Sequence, residues 1–487
     1  MIDIQAKIHD RFSVEFKAGF IADRDAAESD FAINTWMFIP NSLDINPLTY
    51  SKNQFYRDIR SNIRLITPVF LLRDIAGGSA VPLRHLREAF THLAERPTRD
   101  TVAEYEYHIK MFTAIVKSAM RDEILRIVGT ARPDDMRYLC GELVANIENI
   151  TSHYRTLQAI ITQPTIPPAV QDYFRFGDEF ISNVIELQAF KLVRHLQGQR
   201  EPQFDPVVEK LTGLIRTEVD YKRSQGYLVV DPHSPTGNRE LMFRFGVLKK
   251  YAESELFLEA RRKKDGVLVE QVYYSLAAGL SMIFATTVAF SVQQRYGNFT
   301  MPLFVALVVS YMLKDRIKEL MRYYFAHRLG TRYFDNKTTV GVQDREIGWV
   351  KEAMDFIGEA KAPREVMEIR SRTSLLEAEN RVNDEKILLY RKMVHIDREQ
   401  LEAGNQYAIT GINDIMRLHF SRFTQKMDNP EAPLHIIDDQ GNTVLIEAQK
   451  IYYINLVLQL QSAGQVTYKR YRLVVARDGI REIEEMK

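Results

Sequence analysis

Residues 272–292 read VYYSLAAGLSMIFATTVAFSV, twenty-one consecutive residues without a charged side chain. An α-helix rises about 1.5 Å per residue, so this run reaches about 30 Å, the hydrocarbon thickness of a bilayer. The run lies in mid-chain and is followed and preceded by charged sequence. It therefore predicts a protein that is held in a membrane between two large soluble parts.

A second apolar run, TMPLFVALVVSYML, covers residues 300–313. By itself it is short enough for a buried core helix or a re-entrant segment. Pro302 stands where a helix would begin, and Lys314 can extend its ammonium group towards the headgroups at the other end. We therefore expect a two-helix transmembrane hairpin over residues 267–313. A second segment that is re-entrant, rather than one that fully spans the bilayer, is an alternative. The alternative is a helical hairpin buried inside a large soluble protein.

Positive charges flank both runs, whereas the loop between them carries only Arg295. The topology-setting charges are Arg261, Arg262, Lys263 and Lys264 before the first run, and Lys314, Arg316 and Lys318 after the second. Lys and Arg accumulate in the cytoplasmic segments of membrane proteins. The sequence thus predicts a two-span protein of the bacterial inner membrane with both termini in the cytoplasm.

Small residues recur every fourth position in the first run, which places them on one stripe of a helix. They are Ala277, Ser281, Ala285 and Ala289, and Ala306 and Ser310 could face them from the second run. Small side chains let two helices approach closely in lipid. The stripe predicts either packing within the hairpin or self-association of several copies. Neither run contains an ionisable residue, which disfavours a transporter.

The composition is that of a folded protein, with 45% hydrophobic and 26% charged residues among 487. Lys plus Arg (65) and Asp plus Glu (64) nearly cancel, so nucleic acid is not an expected partner. Cys140 is the single cysteine, which excludes an internal disulfide, and we expect it to be a buried structural thiol. The first residues show no cleavable signal peptide.

Periodicity predicts a mainly α protein with a β-rich C-terminal domain. The expected regions are a small mixed α/β region over 1–80, a cytosolic helical bundle over 81–266, the hairpin over 267–313, a helical juxtamembrane connector over 314–365, and an α+β domain with an antiparallel sheet over 366–487. Bundle helices are expected at 98–130, 134–163, 168–197, 205–225 and 238–262, the last continuing into the hairpin. The connector is expected to contain helices at 314–329 and 343–358.

In the N-terminal region, strands are expected at 12–20 and 31–39, followed by a helix from Ser51 to about residue 66. That helix would align Arg57, Arg60 and Arg64 as a possible anion or lipid contact, although such a stripe is also typical of a solvated face. In the C-terminal domain we expect a strand at 386–395, a helix at 411–426, and strands at 434–437, 443–448, 451–461, 466–476 and 480–485.

The common catalytic motifs are missing from the sequence. It contains no phosphate-binding glycine loop, no Gly-x-Ser-x-Gly and no His-Glu-x-x-His, and we assign no catalytic, cofactor-binding or metal-binding residue. The favoured hypothesis is a non-enzymatic scaffold or sensor that contacts membrane lipid and associates with itself or with another protein. An oligomeric pore-forming or membrane-perturbing effector is the second hypothesis. A membrane-bound enzyme with a dispersed active site is the third.

Overall fold

A computed structural model describes residues 1–164, 166–199, 202–297, 300–330, 334–342, 345–373, 375, 385–403 and 405–486. About 52% of it is helical, and its C-terminal region is rich in β-sheet, as the sequence predicts. The chain divides into two compact units. The sandwich unit contains Met1–Arg64, Leu258–Ala403 and Gly411–Lys487, and the bundle unit contains Leu65–Phe257 and Gly404–Thr410.

The sandwich unit is built from two antiparallel sheets and a separate ribbon. Its strands are β1 (Ile2–Asp10), β2 (Ser13–Ile21), β3 (Glu28–Ile39), β4 (Ile59–Leu65), β5 (Glu259–Lys264), β6 (Asn336–Val342), β7 (Arg345–Ile357), β8 (Lys386–Asp397), β9 (Gly411–His419), β10 (Glu431–Ile437), β11 (Thr443–Gln449), β12 (Tyr452–Ser462), β13 (Gln465–Ala476) and β14 (Gly479–Met486). The strand order is β1-β2-β9-β4 in one sheet and β14-β13-β12-β3-β8-β7-β6-β5 in the other, while β10 and β11 pair only with each other.

The N-terminal strands are shared with the C-terminal part of the chain. Strand β3 lies between β12 and β8, and β2 pairs with β9. The region 1–80 is therefore not a separate small α/β region, contrary to the sequence prediction. Pairing between strands so distant in sequence leaves no local signal that periodicity can detect.

The two sheets face each other. Phe16 and Met416 of the smaller sheet and Met37, Leu388 and Leu458 of the larger sheet line one narrow apolar gap between them. The opposite face of the larger sheet is covered around a cluster of Trp36, Phe38, Val366, Ile387 and Val457. Its central strands are thus buried on both faces, and even the polar Asn455 of β12 is only 3% exposed.

The strands expected at 12–20, 31–39 and 386–395 and the five expected after residue 433 are confirmed. Two expected helices are strands instead. Residues 345–357 form β7, and residues 411–419 form β9, followed only by the short helix Ser421–Thr424. The apolar residues of β9 recur at a spacing that fits a helix, but they form a strand whose first four residues are all buried. A fully buried strand loses the alternation that distinguishes it from a helix.

Helix α1 (Lys52–Asp58) begins at Ser51, whose side chain forms a capping box with Gln54, as expected from an N-cap serine. It ends after two turns, and the chain continues as β4. The predicted helical stripe of Arg57, Arg60 and Arg64 is therefore wrong. Arg57 lies in the last turn of α1, whereas Arg60 and Arg64 lie on β4.

The bundle unit contains α2 (Leu72–Ala76), α3 (Val81–Glu95), α4 (Arg99–Val128), α5 (Pro133–Thr156), α6 (Gln158–Ile161), α7 (Pro168–Gln199), α8 (Asp205–Ser224) and α9 (Pro235–Ala252). Prolines begin α5, α7 and α9, because the first helical residue needs no N–H donor. Four expected bundle helices are confirmed, but α9 ends at Ala252 rather than continuing into the hairpin.

Helices α10 (Val267–Tyr296) and α11 (Met301–Gly330) follow β5 within the sandwich unit. The short helices α12 (Arg364–Arg370), α13 (Arg398–Glu402) and α14 (Ser421–Thr424) complete the described elements, together with 3₁₀ turns at Asn41–Leu43, Pro202–Phe204, Ser254–Leu256 and Glu359–Lys361.

Candidate functional site: an apolar hairpin and the sheet edge that holds it

Helices α10 and α11 form a hairpin in which each helix has thirty residues. They pack against each other along their length. Among the described helices, only Glu270–Tyr296 is long and apolar enough to cross a membrane, with a mean hydropathy of 1.7. This is a criterion of length and composition, and the second expected span does not meet it.

The small-residue stripe lies on the inside of the hairpin. Ala277, Ser281 and Ala285 are buried on α10, and Ser310 is buried on α11. Ala289 and Ala306 are partly buried. The sequence predicted either packing within the hairpin or self-association of several copies. Packing within the hairpin explains the burial or partial burial of all six residues.

Large apolar side chains cover the outside of the hairpin. Leu276, Ile283 and Phe290 of α10 and Phe304 and Met312 of α11 are each more than half exposed. Only 11% of the apolar window of α10 is buried within the chain. The arrangement does not match a core hairpin of a soluble protein, the alternative considered from the sequence.

Helix α10 follows strand β5 after only Asp265 and Gly266. Strands β5 and β6 pair antiparallel, with Lys264 opposite Asn336, and they form one edge of the larger sheet. Two acidic residues fix the stem: Asp265 contacts the ammonium of Lys351 at 3.2 Å, and Asp335 accepts hydrogen bonds from Lys52 at 2.8 Å and Tyr56 at 2.9 Å. The hairpin is therefore joined to the sheet through two paired strands and several polar contacts.

The topology-setting charges lie in two groups, one on the stem and one in the middle of α11. Arg261, Arg262, Lys263 and Lys264 lie on β5 and are exposed, rather than on a helix that enters the hairpin. Lys314, Arg316 and Lys318 lie on α11, and Arg322 of the same helix places its guanidinium 4.7 Å from the ring centre of Tyr274 on α10.

Beside the stem, a buried charge cluster joins the two sheets. Lys392 of β8, 0% exposed, pairs with Asp414 of β9 and lies 3.3 Å from Glu352 of β7. Tyr390 donates a hydrogen bond to Glu352, and Ser61 donates one to Asp414 at 2.6 Å. Sequence analysis missed this cluster. The available signal was a lysine two residues after Tyr390, on the face of β8 that the strand period predicts to be buried.

A polar cavity of about 180 Å³ borders this cluster, lined by Ser61, Asn62, Arg262, Thr338 and Glu352 among others. Burial alone would raise the pKa of Glu352, but the charge of Lys392 and the hydrogen bond from Tyr390 outweigh it and lower that pKa. Burial would lower the pKa of Lys392, yet Asp414 and Glu352 raise it. Both groups are therefore held in their charged forms.

The bundle unit has its own buried polar network. Arg155 of α5 donates hydrogen bonds to Asp178 of α7 at 3.1 Å and to Glu218 of α8 at 2.7 Å. Tyr221 and Tyr227 also donate to Asp178. Each acid has several donors, so the network fixes the relative positions of three helices and leaves little free capacity for a ligand.

Cys140 is buried, as expected, and burial raises the pKa of its thiol to about 11. In the described part of the chain, no group of three or more His, Cys, Asp or Glu side chains is placed to hold a metal ion.

Comparison of the chain with protein-family models, curated proteins and solved structures finds no match.

Proposed function

We propose that this protein is a non-enzymatic scaffold or sensor that the hairpin anchors in the inner membrane, with both units in the cytoplasm. The observation that carries the proposal is the apolar outer surface of α10 and α11, which the rest of the chain leaves exposed. Twenty large hydrophobic side chains among the described residues of α10 and α11 are exposed, and about 50 Å² of apolar surface from each amounts to about 1,000 Å². Its contact with water would cost about 25 kcal/mol, so a lipid environment is strongly favoured.

The distribution of charge supports the orientation. The basic residues of β5 lie at the stem of the hairpin and those of α11 lie along the second half of its second helix, whereas the tip carries Arg295 alone. A stem on the cytoplasmic side follows the rule that Lys and Arg are retained there, and it also allows contacts with anionic headgroups.

The contacts of the stem support a role in which movement of the hairpin is transmitted to the sheet, rather than a role as a simple tether. Asp265 and Asp335 are the residues at which the chain leaves and re-enters the sheet, and both are tied to neighbouring strands or to α1. A tilt of α10 would therefore act on β5 and, through Asp265 and Lys351, on β7. An anchor on a flexible linker could not transmit such a movement.

The protonation states of the buried cluster argue against an enzyme at the polar cavity. A general acid or base works best with a pKa near the operating pH. The pKa of Glu352 is lowered and that of Lys392 is raised, so both pKa values move away from neutral pH. Burial and the charge of Glu352 raise the pKa of Tyr390 well above its usual value. The cluster is better suited to joining the two sheets.

For self-association we propose the ribbon formed by β10 and β11. Its pairing places Leu434 opposite Ile446 and Ile436 opposite Val444, so these four side chains share one face, and all four are exposed. An isolated two-stranded ribbon is marginally stable in water. Acidic residues at its tip and base disfavour an anionic membrane as the occupant, whereas a second copy presents the same apolar face in an isologous contact.

Membrane fractionation of a matched pair of chains tests the anchor. Because Lys264 and Asn336 are paired neighbours, a four-residue Gly-Asn-Gly-Ser turn in place of residues 266–335 can close β5 onto β6. We expect the intact chain to remain with membranes after carbonate washing and to float with lipid, and the shortened chain to be soluble. An intact chain that stays in the supernatant would refute the proposal.

The shortened chain also tests the ribbon without any contribution from lipid. Sedimentation of this chain should show a dimer, and Ile436→Glu should raise the dissociation constant of that dimer at least tenfold. The control is His435→Glu, on the other face of the same strand. A monomer before substitution, or equal loss in both variants, would exclude the ribbon as the contact.

A further inference from the structure

The level at which the two helices of the hairpin face each other follows from two observations. The guanidinium of Arg322 lies over the ring of Tyr274, and the loop joins Tyr296 directly to the start of α11 at Met301. Tyr274 and Arg322 are both about 32 Å from the tip along their helices, since each residue adds about 1.5 Å. Residues equally far from the tip on α10 and α11 therefore lie at the same level.

This register places charges beside the apolar run of α10. Asp315 of α11 lies about 21 Å from the tip, level with Met282, and Glu319 lies about 27 Å from it, level with Ala278. Lys314, Lys318 and Arg322 occupy the same part of α11. If the tip reaches the outer headgroups, these charges fall within a hydrocarbon layer of about 30 Å.

Three charged residues of this part of α11, Asp315, Arg316 and Glu319, are exposed and form a stripe directed away from α10. Ser310 is buried against α10, and Ile317 and Met321 follow it at helical spacing. The side chains of Asp315 and Glu319 are instead 58% and 63% exposed. Asp315 lies 3.5 Å from Lys318, and Glu319 lies 3.6 Å from Arg322, so each acid also has a cation of the same helix beside it.

Placing the hairpin at another depth or tilt in the bilayer does not keep all of its polar and charged residues out of the hydrocarbon layer. Lysine and arginine can extend to the headgroups, but Asp315 and Glu319 are too short to do so. A shallower or more tilted hairpin would draw Gln293, Gln294 and Arg295 at the tip into the hydrocarbon. Charged residues at membrane depth in helical proteins generally face a bundle interior or a water-filled cavity.

We propose that several copies of this chain assemble in the membrane with the charged stripe of α11 facing a shared water-filled vestibule in the inner leaflet. Helix α10 then faces lipid, and the opposite charges of Arg316 and the two acids allow pairing between neighbouring copies. The inference rests on the proposed anchor, because it requires the hairpin to enter lipid. It does not rest on the small-residue stripe, which is used within the hairpin.

Cysteine accessibility in vesicles tests the vestibule. In a Cys140→Ser background, Asp315→Cys is compared with Met282→Cys, which lies at the same depth on the lipid-facing helix. The full chain is reconstituted into vesicles of 18-carbon monounsaturated phosphatidylethanolamine and phosphatidylglycerol and treated with a membrane-impermeant maleimide. We expect Asp315→Cys to react at least tenfold faster than Met282→Cys, and mild oxidation to cross-link Asp315→Cys between copies.

Native mass spectrometry of the unsubstituted chain in nanodiscs counts the copies independently of the variants. More than two copies per disc supports the assembly. A single copy with a reactive but uncross-linked Asp315→Cys would overturn it and indicate a bilayer thinned around one hairpin. Equal protection of both cysteines would also overturn it, because lipid would then surround the stripe. Failure of the chain to float with vesicles would refute the anchor instead.

Discussion

Substitution of Lys392 by methionine should destabilise the sandwich unit more than any change at its surface. Methionine has a similar volume, so the change removes the charge and leaves Asp414 and Glu352 as buried anions without their shared cation. Removing one partner of a buried ion pair costs about 3–5 kcal/mol. Lys392 is completely buried and serves two acids, so we expect a loss of about 4 kcal/mol.

The two tryptophans of the chain provide a specific assay. Trp36 lies on β3 and Trp349 on β7, so their fluorescence reports on the sandwich unit alone. In urea titrations of the shortened chain, a loss of about 4 kcal/mol with a slope of about 2.5 kcal/mol/M lowers the midpoint by about 1.6 M. The exposed Lys361→Met serves as a control and should leave the midpoint within about 0.2 M.

A second variant separates lost pairing from lost packing. Lys392→Met combined with Asp414→Leu removes both charges of the closest pair, and it should recover at least half of the lost stability. The reasoning would be refuted if Lys392→Met left the midpoint unchanged, or if the double variant were less stable than Lys392→Met alone.

Three further outcomes are expected for the bundle unit. Gly177→Ala should lower the helical melting temperature measured by circular dichroism, because the new methyl group would lie 2.2 Å from the hydroxyl of Tyr154 and overpacking costs about 1–3 kcal/mol. Gly213→Ala, which meets no atom within 4 Å, should instead stabilise the unit by about 0.5–1 kcal/mol, and equal effects of the two changes would contradict this account. Burial and the nearby His85 lower the pKa of His108 to about 4, so the unfolded chain binds a proton that the folded chain does not between about pH 6.5 and 4. Stability should therefore fall by about 3 kcal/mol as the pH drops through that window, and thermal unfolding at both ends of it should show a smaller difference for His108→Gln.

Local features of the sequence predicted much of this protein correctly. The strand at 12–20 alternates in polarity, prolines begin three bundle helices, and Ser51 caps a helix, so each was visible within a few neighbouring residues. The apolar run of α10 was equally local. Signals of this kind depend on the chain's own periodicity and need no knowledge of what packs against it.

The errors have a common cause. β7 and β9 were interpreted as helices because central strands covered on both faces have no alternation, and β4 was merged with α1 because its partners lie far away in sequence. The pairing of Lys392 with Asp414 joins strands of two different sheets. No interval along the chain indicates that these residues meet.

The sequence by itself determined that the chain contains an apolar helix of membrane length with basic residues on both sides, since hydropathy and charge are properties of single residues. Only the tertiary structure decided what lies beside that helix. It pairs β5 with β6 at the edge of a sheet, hides the small residues inside the hairpin, and brings Asp315 level with Met282. The physical reason is that depth in a bilayer depends on how two helices align, and this alignment is set by contacts between residues distant along the chain.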